Sequence, residues 1–225
     1  MTDQARIAAI VLAAGKSERM KYPKPLLIFG KETALDRVIR VVGEAGCDPV
    51  IVILGHDVER IRSHAALSGA VVVVNLEYEK GQTSSLQAGL RGLPEDVAAA
   101  LVHPADHALI SGGTVAALIE AYRENGRLIT APSHAGRRGH PVLCDRRIFA
   151  EILALAPEGS LREVIGADPS RIQHVETDDE EVLRDLDTPA DYYEALEVYS
   201  ARGGEAGFAA PKGSAGRVIP RKPPV

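Results

Sequence analysis

Hydrophobic positions along this chain come in short blocks separated by polar, glycine-containing turns. Ala5–Ala13 is apolar at every position but Arg6 and ends at Gly15. An unbroken run bounded by glycine is the pattern of a strand buried on both faces of a parallel sheet. Thr33–Ala45 then carries Leu35, Val38, Ile39 and Val42 at helical spacing, with Gly46 as a stop. The alternation continues. Strands are predicted at Val50–Leu54, Ala70–Asn75, Ala98–His103 and Leu128–Ala131, and helices at Val58–Leu67, Ser84–Leu93 and Thr114–Glu124. Such a series makes a βαβ sheet with right-handed crossovers.

From Ser133 the rhythm changes. A Gly/Arg-rich loop leads to a short extended piece at Pro141–Cys144, then to helices around Ile148–Ala156 and Leu161–Ile165. Residues 133–170 are therefore expected to form an inserted, acceptor-facing lobe. A late strand at Arg171–Glu176 precedes a helix at Pro189–Tyr199, which opens with proline after the capping residues Asp187 and Thr188. Residues 1–200 read as a single domain.

Composition adds bounds. The chain has 225 residues, 45% of them hydrophobic, enough for one substantial core. Apolar stretches such as Ile7–Ala14 and Ala70–Val74 fall far short of the roughly 20 residues of a membrane span. No basic segment leads into a secretory apolar region, so a soluble, cytoplasmic protein without a membrane partner is expected. Cys47 and Cys144 stand far apart and suggest neither a disulfide framework nor a zinc knuckle.

The net charge of −5 argues against a nucleic-acid partner. Its distribution is uneven. In residues 201–225, Arg202, Lys212, Arg217, Arg221 and Lys222 face Glu205 alone, a net +4 that leaves −9 for the first 200 residues. With five Gly and four Pro, that segment is expected to be a flexible tail. Within the acidic body, the loop 16–24 holds Lys16, Arg19, Lys21 and Lys24 against Glu18 alone. A basic loop after the first strand suggests a bound anion.

Ligands of an open parallel sheet bind beyond the carboxyl ends of its strands. Four polar clusters occupy such positions: Gly15–Lys24, Gly81–Ser85, Asp106 and Asp185–Asp187. Gly15-Lys16-Ser17 matches the end of a P-loop, but the first glycine of that motif is replaced by Ile10 inside the strand, so the phosphate-cradling turn cannot form. The dinucleotide fingerprint G-x-G-x-x-G is also missing there. A glycine entry and two spaced cations, Arg19 and Lys24, remain. His103, Asp106 and His107 do not make a convincing transition-metal site, because Pro104 prevents the helix that would align them. Asp187 sits at an Asp-Thr-Pro helix start, and capping remains open as its role. Thr83 and Ser84 are alternative N-caps.

The segment L-A-A-G-K-S-E-R-M-K-Y-P-K-P-L-L resembles the signature loop of the MobA-like nucleotidyltransferases. Y-E-K-G-Q-T-S-S-L-Q-A-G-L, R-R-G-H-P-V-L and D-L-D-T-P-A-D-Y are similar to further blocks of that family, in the same order and together spanning residues 8–193. Asp106 stands in H-P-A-D-H where the family shows G-D-M-P. The resemblance implies a three-layer αβα, Rossmann-like, mostly parallel sheet of the nucleotide-diphospho-sugar transferase type. The L-A-A-G form is most similar to the branch that joins CTP to molybdopterin and releases pyrophosphate.

By that resemblance, Leu12, Ala13, Ala14 and Gly15 would contact the nucleotide, Arg19 and Lys24 its phosphates, and Gln82 and Ser85 its base and ribose. Asp106 and Asp187 would hold Mg²⁺, and Arg138, Gly139 and His140 would face a phosphorylated acceptor such as molybdopterin. Arg19, Lys24 and Asp106 would be catalytic. Fixed cations suit nucleotidyl transfer because charge develops on the α-phosphate and the departing pyrophosphate. A phosphate acceptor needs no general base. A molybdoenzyme or its chaperone is the implied receiving partner. A sugar-1-phosphate nucleotidyltransferase and a non-catalytic nucleotide-binding protein of the same fold are the alternatives.

Overall fold

A computed structural model describes residues 5–204. Its strands are β1 (Arg6–Ala13), β2 (Ile28–Phe29), β3 (Glu32–Thr33), β4 (Val50–Leu54), β5 (Ala70–Val74), β6 (Val97–Pro104), β7 (Ile129–His134), β8 (Arg137–Arg138), β9 (Val142–Asp145) and β10 (Ile172–Glu176). Its helices are α1 (Ala34–Glu44), α2 (Val58–His64), α3 (Gln82–Arg91), α4 (Gly112–Asn125), α5 (Phe149–Leu153), α6 (Leu161–Gly166) and α7 (Pro189–Ala201). Among the described residues, eight strands form one sheet in the order β10-β7-β9-β6-β1-β4-β5, with β8 paired to β7. Most neighbours are parallel; β9 runs antiparallel to both β6 and β7. The small hairpin β2-β3 stands apart.

The apolar run of β1 has the expected cause. Ile7, Ala9, Val11 and Ala13 pack into one core layer with Leu35, Val38, Ile39 and Val42 of α1 and Val115, Leu118 and Ile119 of α4. Ile10, on the opposite face, joins Leu86 and Leu90 of α3 and Phe149 and Ile152 of α5. Side chains alternate across a strand, so a strand covered on both faces must be apolar at every position.

The strands and helices predicted from periodicity are present, with ends shifted by a few residues. The larger difference lies in 133–170. Its extended piece is β9, fully buried, inserted between β6 and β7, while α5 and α6 cover one face of the sheet. The tail 201–225 falls almost entirely outside the described residues. No described helix is long and apolar enough to cross a membrane.

After β1 the chain moves outward through β4 to the edge strand β5, then returns to pair β6 on the other side of β1. Strand order therefore reverses between β1 and β6, where an open α/β sheet leaves a crevice. A third apolar cluster closes that end: Met20 from the basic loop, Leu27 and Phe29 of the hairpin region, Ala108 and Leu109, and Leu186, Tyr192 and Ala195 around α7. Tyr192 packs edge-on against Phe29 at 5.6 Å and donates its hydroxyl hydrogen to Ile28 O at 2.7 Å.

Candidate active site

Beyond the ends of β1 and β6 lies a cleft of about 500 Å³. Its floor is the chain from Leu12 to Gly15, whose path is set by neighbouring strands: Leu12 O accepts from Ala105 N at 3.0 Å, and Ala14 O from His56 N at 3.1 Å. Lys16, Arg19 and Lys24 line one side, Gln82 and Ser85 at the start of α3 another, and Asp106 and Asp187 a third.

The basic loop is held in shape by backbone strain and an apolar anchor. Ser17 and Lys21 both take left-handed φ values, 53° and 55°, which non-glycine residues avoid at a cost of order 1 kcal/mol each. Ser17 O accepts from Lys21 N at 3.0 Å, and Ser17 Oγ accepts from Lys24 N at 3.1 Å. Met20 is buried in the third cluster; that burial contributes roughly 1.5–3 kcal/mol and offsets the strain. Arg19, beside it, stays 71% exposed and reaches over the cleft.

Lys24 unites the site. Its Nζ donates to Asp106 Oδ2 at 2.9 Å and Asp187 Oδ1 at 2.6 Å, while Arg19 Nη1 meets Asp187 Oδ2 at 2.8 Å. Burial alone would lower the Lys24 ammonium. Attraction to Asp106 and hydrogen bonds to both carboxylates outweigh it and hold the group above its ordinary value. Burial would likewise raise the Asp187 carboxyl, yet the hydrogen bond from Lys24 and the charges of Lys24 and Arg19 hold it below the usual carboxylate range. Two carboxylates sharing one ammonium form a place built for a cation. They offer the hard oxygen donors that Mg²⁺ takes alongside substrate phosphates.

Asp187 does not cap the last helix. Thr188 Oγ1 accepts from Asp191 N, and the Asp191 carboxylate accepts from Thr188 N, a reciprocal capping box that leaves the Asp187 carboxylate free for the cleft. Leu186 N donates to Asp106 O at 3.1 Å, tying the two acidic segments together. Asp185 is exposed and lies outside the cleft lining. Neither Thr83 nor Ser84 caps α3: the cap is Gly81 at φ 103°, a conformation that glycine adopts without strain. Thr83 instead donates to Gly159 O, and Ser84 to Gly81 O and Glu77 O.

Leu12, Ala13, Ala14, Gly15, Arg19, Lys24, Gln82, Ser85, Asp106 and Asp187 are thus brought to one cleft. Arg138, Gly139 and His140 do not line it. Arg138 is exposed on β8, and Gly139 is wedged against the 180–182 turn, where a Cβ would meet Val182 O at 2.2 Å. The His140 ring lies 4.9 Å from that of His107, tilted by 55°, and the His107 ring lies 6.3 Å from that of His103. Burial and neighbouring cations hold His140 down to about 4, and burial also lowers His103 and His107. No group of three or more metal-ligating side chains is present among the described residues.

Lys16, one of the cations expected in the basic loop, pairs with Glu79 at 2.8 Å. One residue beside the site escaped the sequence reading. Asn75, directly after β5, bonds both serines of α3; its position at a strand end was the available signal.

A model of the MobA-like NTP transferase domain matches residues 9–175. Among curated proteins, nicotine blue oxidoreductase of Paenarthrobacter nicotinovorans is 27% identical, covering 87% of this chain and 98% of that protein. Molybdenum cofactor cytidylyltransferase of Escherichia coli K12 is 24% identical over 86% of this chain and 97% of its own. Longer bifunctional relatives are spanned over only 24%, 26% and 32% of their lengths. A solved nucleotidyl transferase from Methanothermobacter thermautotroptrophicus shares the fold, with a TM-score of 0.76, 21% identity and coverage of 88% and 99%.

Proposed function

The chain belongs to the MobA-like NTP transferase family, and from that premise we propose that it transfers CMP from CTP to a phosphorylated acceptor, molybdopterin first among the candidates. A phosphate oxygen of the acceptor attacks the α-phosphorus, forming the new P–O bond as the bond to the β-phosphate oxygen breaks and pyrophosphate departs with that electron pair. The observation that carries this reading is Lys24 held between Asp106 and Asp187 at the mouth of β1 and β6, with Arg19 beside it.

Each group has a part in that step. The backbone of Leu12–Gly15 allows close approach of the nucleotide. Arg19 and Lys24 hold the triphosphate and offset charge gathering on the departing pyrophosphate. For that, Lys24 must exchange its two carboxylates for phosphate oxygens, which its flexible four-carbon stem permits. Asp106 and Asp187, freed of the ammonium, would hold Mg²⁺. When bound, the ion neutralises phosphate oxygens and fixes their orientation. Arg138 and His140 belong to the proposed acceptor side, next to Asp106 through His107.

Fold likeness does not fix the reaction. A relative named as an oxidoreductase stands beside one named as a cytidylyltransferase at similar identity. The deciding experiment is pyrophosphate release with CTP, GTP, UTP or ATP, in the presence of Mg²⁺ and with molybdopterin supplied or withheld. Release with CTP only when molybdopterin is present supports the proposal. Nucleotide binding without release under any condition refutes it.

A further inference from the structure

Asn75 is 7% exposed and uses every polar atom of its side chain. Its Oδ1 accepts from Glu77 N at 2.9 Å. A backbone N–H can only donate, so the amide orientation is chemically fixed and Nδ2 must face α3. There Nδ2 donates to Ser84 Oγ at 2.9 Å and Ser85 Oγ at 3.0 Å. The two serines then differ. Ser84 passes its own hydrogen to Gly81 O at 2.8 Å or Glu77 O at 3.0 Å. Ser85, 3% exposed and lining the cleft, has no acceptor for its hydrogen among the described residues.

We propose that Asn75 is a positioning residue that makes Ser85 a hydrogen-bond donor toward the nucleobase, so that the cleft takes a base presenting a carbonyl or ring-nitrogen acceptor there, as cytosine does with O2 and N3. This rests on the nucleotide reading of the cleft. By occupying a lone pair of Ser85 Oγ, Asn75 leaves the hydroxyl hydrogen to turn into the cleft. Asparagine and aspartate have nearly the same shape, but aspartate offers only acceptors. In Asn75→Asp, one carboxylate oxygen still receives Glu77 N–H. The other draws the Ser85 hydrogen inward and turns a lone pair to the ligand. The donor becomes an acceptor with the backbone unchanged.

The test is a double-mutant cycle on the full chain: wild type, Asn75→Asp, Ser85→Ala and the double variant, with CTP affinity measured by calorimetry and KM and kcat measured in parallel. One lost hydrogen bond corresponds to about tenfold in affinity. Asn75→Asp and Ser85→Ala are each expected to raise Kd and KM about tenfold while kcat stays within about twofold, and the double variant should bind no more weakly than Ser85→Ala. Unchanged CTP affinity in Asn75→Asp overturns the inference. So does a further tenfold loss in the double variant, because the effect would then be charge repulsion and not a relay through Ser85. If Asn75→Asp folds poorly, Asn75→Ala runs the same cycle. A wild-type protein that binds none of the four nucleoside triphosphates overturns the nucleotide reading itself, whereas binding that Asn75→Asp leaves intact overturns only the role of Asn75.

Discussion

Replacing His140 by Gln should flatten the stability of this protein toward acid. His140 lies against His107 and near Arg162 and Arg138, and burial with these neighbours holds its imidazole down to about 4, against an ordinary 6.5. The folded protein therefore takes up that proton only near pH 4, whereas the unfolded chain takes it up near 6.5. Between the two, the unfolded state carries more protons, and stability must fall as pH falls. By linkage the gap is worth about 3 kcal/mol. In a chain of this size about 2–4 °C accompanies each kcal/mol, so roughly 6–12 °C of the melting-temperature loss between pH 7 and pH 4 should come from this one ring. Thermal unfolding followed by circular dichroism at half-unit steps, wild type against His140→Gln, reads the difference directly. Carboxylates such as Asp187 contribute equally to both curves and cancel. Parallel curves would refute the reasoning, since they would mean that His140 titrates in the folded protein much as it does in the unfolded chain.

Three other perturbations have defined outcomes. Lys24→Ala should lower turnover about 10²–10³-fold by removing a cation from the developing charge, yet tighten Mg²⁺ binding to the nucleotide-free protein in a calorimetric titration, because Asp106 and Asp187 lose their internal cation; weaker Mg²⁺ binding would show that these carboxylates are not the metal's ligands. Asp187→Asn removes a carboxyl held below the usual range, whose stabilisation is present above its unfolded value and lost as pH falls through its folded one; the variant should lose less stability than wild type below about pH 4 in urea unfolding. Gly139→Ala would set a methyl 2.2 Å from Val182 O, between two backbone segments joined by the His140 N to Val182 O bond, and should cost at least about 2 kcal/mol in urea unfolding.

What depends on neighbours along the chain was legible without the fold. The gapless apolar run of β1 requires cover on both faces, Leu35, Val38, Ile39 and Val42 require one buried helix stripe, and Thr188-Pro189 with Asp191 makes a helix start. The same local logic led to Arg19, Lys24, Asp106 and Asp187, because parallel strands deliver their following residues to one edge. Periodicity could not assign β9 its place between β6 and β7: a four-residue apolar piece fits any sheet position, and only its register with both strands decides. Nor could it show that one ammonium would bridge carboxylates 82 and 163 residues away, that three histidine rings would cluster, or that Asn75 would bond a serine on the next helix. Those relations are set by which strand ends become neighbours and how far apart they lie. Hydrogen bonds and ion pairs act over about 3 Å, so only the folded chain, which fixes those distances, could decide them.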